Sequence, residues 1–171
     1  HPLNEVDPCG VMYAASKGSG AWEFADCNLT STPMRIVAQQ YDESRPLRFC
    51  ESAEKGHSNR GDSEQIIEAI GTRGEPARLD SQCKYALVAR GQADGYLRLP
   101  TSREYVEKIW DHAAGMCIAT EAGAIVSDVS GNPLDFTHGT ILENNRGIIC
   151  AIDGLHQRII ATIEDLAIAQ R

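Results

Sequence analysis

Two short apolar runs near the start, Val11 to Ala15 and Ala21 to Phe24, flank Ser16-Lys17-Gly18-Ser19-Gly20. That turn composition predicts a hairpin. A lone hairpin is marginal in water, so this one is expected to belong to a sheet whose other strands are missing. Met34 to Ala38 and Leu47 to Cys50 read as further strands, and Glu54 to Ser58 as a loop. Asp62-Ser63-Glu64-Gln65 opens a helix through Ile66, Ile67, Ala69 and Ile70, whose spacing gives one apolar face, and Gly71 and Gly74 end it. Arg78 to Asp80 is a short strand end. Ser81 stands where a cap belongs before a helix from Gln82 to Arg90, with Gly91 as its stop.

Ala93 to Leu99 alternates as a strand does, and Pro100 closes it; Thr101 to Lys108 is polar and irregular. From His112 to Ala122 the pattern predicts a helix in which Ala113, Ala114, Gly115 and Ala119 let another backbone come close. A strand from Ala124 to Val129, a turn at Ser130 to Pro133 and a short run Leu134 to Phe136 follow. A strand Gly147 to Ile152 leads to a last helix, Leu155 to Ala169, with Ile159, Ile160, Ile163, Leu166 and Ala167 at helical spacing.

Strands alternating with helices predict an α/β domain with a mostly parallel or mixed sheet. In such sheets ligands bind beyond the carboxyl ends of strands, where loops enter helices. His57, the pair Ser81 and Lys84, and Asp111 fall at such junctions.

Each candidate has two uses. Asp111 precedes a helix and suits an N-cap, but a carboxylate so placed also suits a hard cation. Ser81 and Lys84, three apart at a helix start, make either an anion cradle or a cap beside a solvated lysine. Arg98 lies between Leu97 and Leu99, where a guanidinium needs an anion, either an internal carboxylate or a ligand phosphate. His57 is a loop histidine. His112, His138 and His156 lack metal-ligand spacing, which argues against zinc.

Composition narrows the field. The 171 residues, 42% of them hydrophobic, are enough for one globular domain. With 16 basic and 24 acidic side chains the net charge is −8, and no Lys/Arg stripe exists to neutralise a nucleic acid polymer. A small anion needs only a few converging basic groups. Cysteines at 9, 27, 50, 83, 117 and 150 form no C-x-x-C pair and sit mostly in apolar surroundings, which fits a reducing, intracellular setting. No apolar run approaches the ~20 residues of a membrane span. The opening His1-Pro2-Leu3-Asn4 reads as the middle of a chain.

The stretch Trp110-Asp111-His112-Ala113-Ala114-Gly115 resembles the second signature of the inositol monophosphatase superfamily of lithium-sensitive, magnesium-dependent phosphatases. Glu54-Lys55-Gly56-His57-Ser58, Leu79-Asp80-Ser81-Gln82 with Lys84-Tyr85, Tyr96 to Pro100, and Tyr105 with Glu107 to Asp111 resemble one branch of it, the 3′(2′),5′-bisphosphate nucleotidases of sulfur metabolism. The resemblance implies a substrate such as adenosine 3′,5′-bisphosphate or its sulfated relative, and a cofactor, Mg²⁺. It implies that Asp111 binds the metal beside the substrate, and that His57, Ser81, Lys84 and Arg98 bind the nucleotide.

The family's upstream glutamate and its Asp-Pro-Ile-Asp-Gly-Thr motif are absent; Val6-Asp7-Pro8-Cys9-Gly10 offers only Asp-Pro. The expectation is therefore the C-terminal portion of such an enzyme. Residues 1–30 would be a remnant hairpin of the N-terminal domain and 31–171 the C-terminal α/β nucleotide-binding domain, with the missing portion as its partner. Alone it should be catalytically poor. An inositol phosphate phosphatase, or a non-catalytic nucleotide-binding module, is the alternative. The cytosol, or an organelle, is the expected compartment.

Overall fold

A computed structural model describes residues 10–25, 29–53, 59–71, 76–102 and 104–170. The predicted hairpin is present as β1 (Met12–Ser16) and β2 (Gly20–Phe24), joined at Gly18 and Gly20, whose φ values of +76° and +83° suit glycine. Its next strand lies within the chain: β3 (Met34–Ile36) pairs antiparallel with β2. Ala15, Ala21 and Ile36 share one row, and Ala21 and Ile36 bury against Ala89 and Ala122. The turn is also clamped from outside. Glu121 accepts the Gly18 N–H at 2.8 Å on one carboxylate oxygen and the Gly20 N–H at 2.9 Å on the other.

The larger sheet contains β4 (Phe49–Glu51), β5 (Ala77–Arg78), β6 (Gly95–Arg98), β7 (Ala124–Ser127) and β8 (Ile148–Ile152) in the order β5-β4-β6-β8-β7. The first three are parallel, and β8 runs antiparallel to both neighbours, so the sheet is mixed. Every residue of β6 and β8 is buried, as expected of central strands covered on both faces. Helices α2 (Cys83–Ala89) and α3 (Ala113–Glu121) cover one face, where Tyr85 meets Tyr96 edge to face at 5.1 Å. Helices α1 (Arg60–Ala69) and α4 (Leu155–Asp165) lie on the other, where Gly95 leaves room for Phe49 and Ile159. Each fully buried Ile, among them Ile149, Ile152, Ile159 and Ile163, contributes roughly 1.5–3 kcal/mol.

Three boundaries differ from expectation. α1 begins two residues earlier than Asp62, because Asn59 is its N-cap: Asn59 Oδ1 accepts the Asp62 N–H, and Asn59 Nδ2 donates to Asp62 Oδ2 at 2.7 Å. α4 stops at Asp165 rather than Ala169, since Ala167 takes a φ of +53° that a helix cannot contain, and only a 3₁₀ turn, Ile168–Gln170, follows. α2 starts at Cys83, which leaves Ser81 outside the helix.

Cys50, Tyr96 and Cys150 form one row across β4, β6 and β8. Burial pushes the Cys50 thiol up to about 12 and the Cys150 thiol up as well, so both act as small hydrophobes. Cys83, by contrast, is exposed. Among the described residues no helix is long and apolar enough to cross a membrane.

Candidate functional site

Parallel strands β5, β4 and β6 end at Arg78, Glu51 and Arg98, and this carboxyl edge is where ligands enter such sheets. From β5 the chain runs through Ser81 into α2; from β6 it runs through Tyr105 and Glu107 into a 3₁₀ turn, Ile109–Asp111, and then α3. Gln82 and Tyr85 from the first connection bond Trp110, Gly115 and His112 of the second, so Ser81, Lys84, Arg98 and Asp111 all lie at this end of the sheet. His57 lies outside the described residues.

Asp111 does not cap α3. The turn preceding the helix uses the Asp111 and His112 N–H groups on the Lys108 and Ile109 carbonyls, which moves the cap position to His112, and His112 makes no side-chain cap. The orphan N–H of Gly115 is taken instead by Gln82 Oε1 at 2.7 Å, while Gln82 Nε2 donates to the Trp110 carbonyl at 2.8 Å. Half-buried Asp111 is left with a carboxylate that meets no hydrogen-bonding side chain or N–H among the described residues.

Lys84 is not a solvated lysine. It is 2% exposed, its ammonium donates to the Leu79 and Ser81 carbonyls at 3.2 and 2.9 Å, and it lies 5.3 Å over the Tyr96 ring. Burial pushes its pKa down. Its bonds hold a turn in which Ser81 takes a φ of +68°, uncommon for a residue with a Cβ. The Ser81 hydroxyl is exposed and accepts the Cys83 N–H at 3.3 Å.

Arg98 has found an internal carboxylate. Its Nε donates to Glu107 Oε1 at 2.8 Å and one terminal nitrogen to the Tyr105 hydroxyl at 3.3 Å. Glu107 Oε2 meets His112 Nε2 at 2.9 Å, and His112 Nδ1 meets the Tyr85 hydroxyl at 2.8 Å. A carboxylate only accepts, so Nε2 carries a proton toward Glu107, and the Tyr85 hydroxyl pairs with the other ring nitrogen. Burial would raise the Glu107 pKa, but the hydrogen bonds from His112 and Arg98 outweigh it and hold the group below the usual range. Burial drives the Tyr85 hydroxyl well up.

The sequence reading missed Gln82, Tyr85, Glu107 and His112 as site-forming groups. All four lie inside the segments that carry the family resemblance, and Glu107 had a further signal as an acid in a polar run nine residues from an arginine set among leucines. Ser52, 1% exposed just past β4, is a further polar group at this edge, with an Oγ that has no hydrogen-bond partner among the described residues.

Mg²⁺ takes oxygen ligands, usually one or two carboxylates completed by water and phosphate. The unpartnered carboxylate of Asp111 fits one such position. Among the described residues no three of His, Cys, Asp and Glu come together to hold a metal.

The inositol monophosphatase family matches residues 2–167. The chain is 41% identical over 156 residues to the 3′(2′),5′-bisphosphate nucleotidase of Schizosaccharomyces pombe, covering 91% of this chain and 44% of that protein. It is 38% identical over 164 residues to the 3′(2′),5′-bisphosphate nucleotidase of Emericella nidulans, with the same coverage. The enzyme of that name from Oryza sativa is 39% identical over 159 residues, 93% of this chain and 44% of the relative. The chain thus spans less than half the length of these relatives. Among solved structures, inositol monophosphatase from Anabaena superposes with a TM-score of 0.63 at 18% identity, over 91% of this chain and 57% of that one. SuhB from Mycobacterium tuberculosis gives 0.61 at 22%, over 92% and 56%. At these identities the likeness is one of fold.

Proposed function

The chain belongs to the inositol monophosphatase family, and we propose that it forms the nucleotide-binding part of a 3′(2′),5′-bisphosphate nucleotidase that removes the 3′-phosphate of adenosine 3′,5′-bisphosphate and its sulfated relative. The observation that carries this reading is the 38 to 41% identity with curated 3′(2′),5′-bisphosphate nucleotidases over 91 to 93% of the chain. In this reading residues 31–171 bind the nucleotide and the hairpin in 1–30 belongs with the enzyme's N-terminal unit.

Asp111 holds a Mg²⁺ ion through its free carboxylate. When bound, such an ion polarises a phosphoryl oxygen and lowers the pKa of water. Beyond its bonds to Glu107 and Tyr105, the Arg98 guanidinium offers its remaining terminal N–H donors to a phosphate, and Glu107 aims them. Ser81 offers its exposed hydroxyl and His57 its ring to the nucleotide. Lys84 acts through its turn, fixing the Ser81 backbone from beneath. With one metal ligand among its described residues, the chain alone turns over slowly.

Calorimetric titration of the chain with adenosine monophosphate and with inositol monophosphate, each with and without Mg²⁺, tests the proposal. Nucleotide binding strengthened by Mg²⁺ is expected. Preference for the inositol phosphate would overturn the substrate class. The single metal ligand favours a second reading, a non-catalytic nucleotide module, and binding indifferent to Mg²⁺ would select it.

A further inference from the structure

Gln82 grips both ends of the segment that carries Asp111. Its amide oxygen takes the Gly115 N–H and its amide nitrogen gives to the Trp110 carbonyl, so one side chain from another connection spans the turn from Trp110, just before Asp111, to Gly115 in the first turn of α3. We propose that Gln82 is a positioning residue for Asp111, fixing the turn that presents the carboxylate; its relevance to metal binding rests on the function proposed above.

A cap alone does not account for this geometry. Capping Gly115 needs only an acceptor, which glutamate would supply equally well, and the Trp110 carbonyl lies at an exposed position where water would satisfy it. Unlike a carboxylate, an amide both accepts and donates at its tip, so the pair of bonds uses a donor that a cap would not need. The mounting of Gln82 is itself held. Ser81, immediately before it, sits at positive φ, a conformation that persists only where its surroundings over-determine it. The buried Lys84 ammonium provides that constraint by binding the Leu79 and Ser81 carbonyls. On the far side, Gly115 is pressed against the Tyr85 ring so closely that a Cβ would overlap it, which prevents the start of α3 from shifting toward α2. Asp111 itself has no side-chain partner among the described residues, so its placement depends on its backbone. Outer groups that orient a metal ligand are commonly worth about 10–100-fold in affinity.

Trp110 is 59% exposed and is one of two tryptophans, so Trp22→Phe leaves it as the sole reporter. In that background, Gln82→Met and Gln82→Glu are compared with the parent chain. Gln82→Met is expected to speed hydrogen exchange at the Gly115 amide at least about tenfold and to lower Trp110 anisotropy. Gln82→Glu should keep Gly115 protected yet free Trp110, a split that a purely stabilising cap would not produce. Unchanged Gly115 exchange and Trp110 anisotropy in Gln82→Met would overturn the proposal, as would a Gln82→Glu chain identical to the parent.

A Mg²⁺ titration followed at the Asp111 amide by NMR separates this from the metal assignment. The dissociation constant should rise about tenfold or more in Gln82→Met, and Asp111→Asn should abolish the response. A response abolished by Asp111→Asn but untouched by Gln82→Met sinks the positioning role alone. A response that survives Asp111→Asn, or none in the parent, sinks the metal reading, while the Gly115 and Trp110 measurements still decide whether Gln82 holds the turn.

Discussion

Glu107 Oε1 accepts the Arg98 Nε–H at 2.8 Å inside the protein, with Arg98 9% and Glu107 4% exposed. A guanidinium among leucines needed an anion, and the chain supplies one from the next connection, where the same carboxylate also orients His112.

Removing that charge should therefore cost far more than a surface ion pair. Glu107→Gln leaves Arg98 buried without its counter-charge, and a loss of about 3–5 kcal/mol is expected in urea unfolding. The double variant Arg98→Met/Glu107→Leu should recover most of it, since a buried pair replaced by apolar groups of similar size is often neutral.

Gly115→Ala tests the close approach of α2 and α3. The added methyl would overlap the Tyr85 ring, and overpacking of this kind costs about 1–3 kcal/mol. A thermal melt should show the loss, with Tyr85→Leu in the same chain giving back part of it. Equal stability of Gly115→Ala and the native chain would refute the contact.

Stability should fall in mild acid through His156, whose Nε2 meets the Ser127 hydroxyl at 2.7 Å in a buried site. Burial lowers its pKa below 6.5, and the Asp153 charge opposes this only in part. The unfolded chain then binds the proton more readily than the folded one. The neutral form's contribution is complete above about pH 6.5 and is lost as pH drops through the lowered folded value. Urea midpoints measured at about pH 7.5 and about pH 5.5 should differ less in His156→Gln than in the native chain.

Glu121→Gln should loosen the hairpin. The Gly18 and Gly20 N–H groups hold the Glu121 carboxyl below its usual range because they bind the charged form. Amide exchange at both glycines is expected to quicken in the variant, while the buried strand β8 keeps its protection.

Much of the architecture was legible from local pattern. The hairpin followed from two apolar runs around Gly18 and Gly20, β8 from an unbroken apolar stretch, and α3 from its small residues, because backbone preference and side-chain period act over a few residues. The Trp110 to Gly115 motif located the candidate carboxylate. The choice between the two uses of each polar residue was made elsewhere. Asp111 lost its expected cap to Gln82, 33 residues before Gly115; Lys84 was drawn under a turn and over Tyr96; Arg98 was claimed by Glu107. A donor takes the acceptor that the packed sheet brings within 3 Å and that water can no longer reach. Sequence spacing determines which groups a segment offers, but only the order β5-β4-β6 and the crossing of α2 on α3 determine which of them meet.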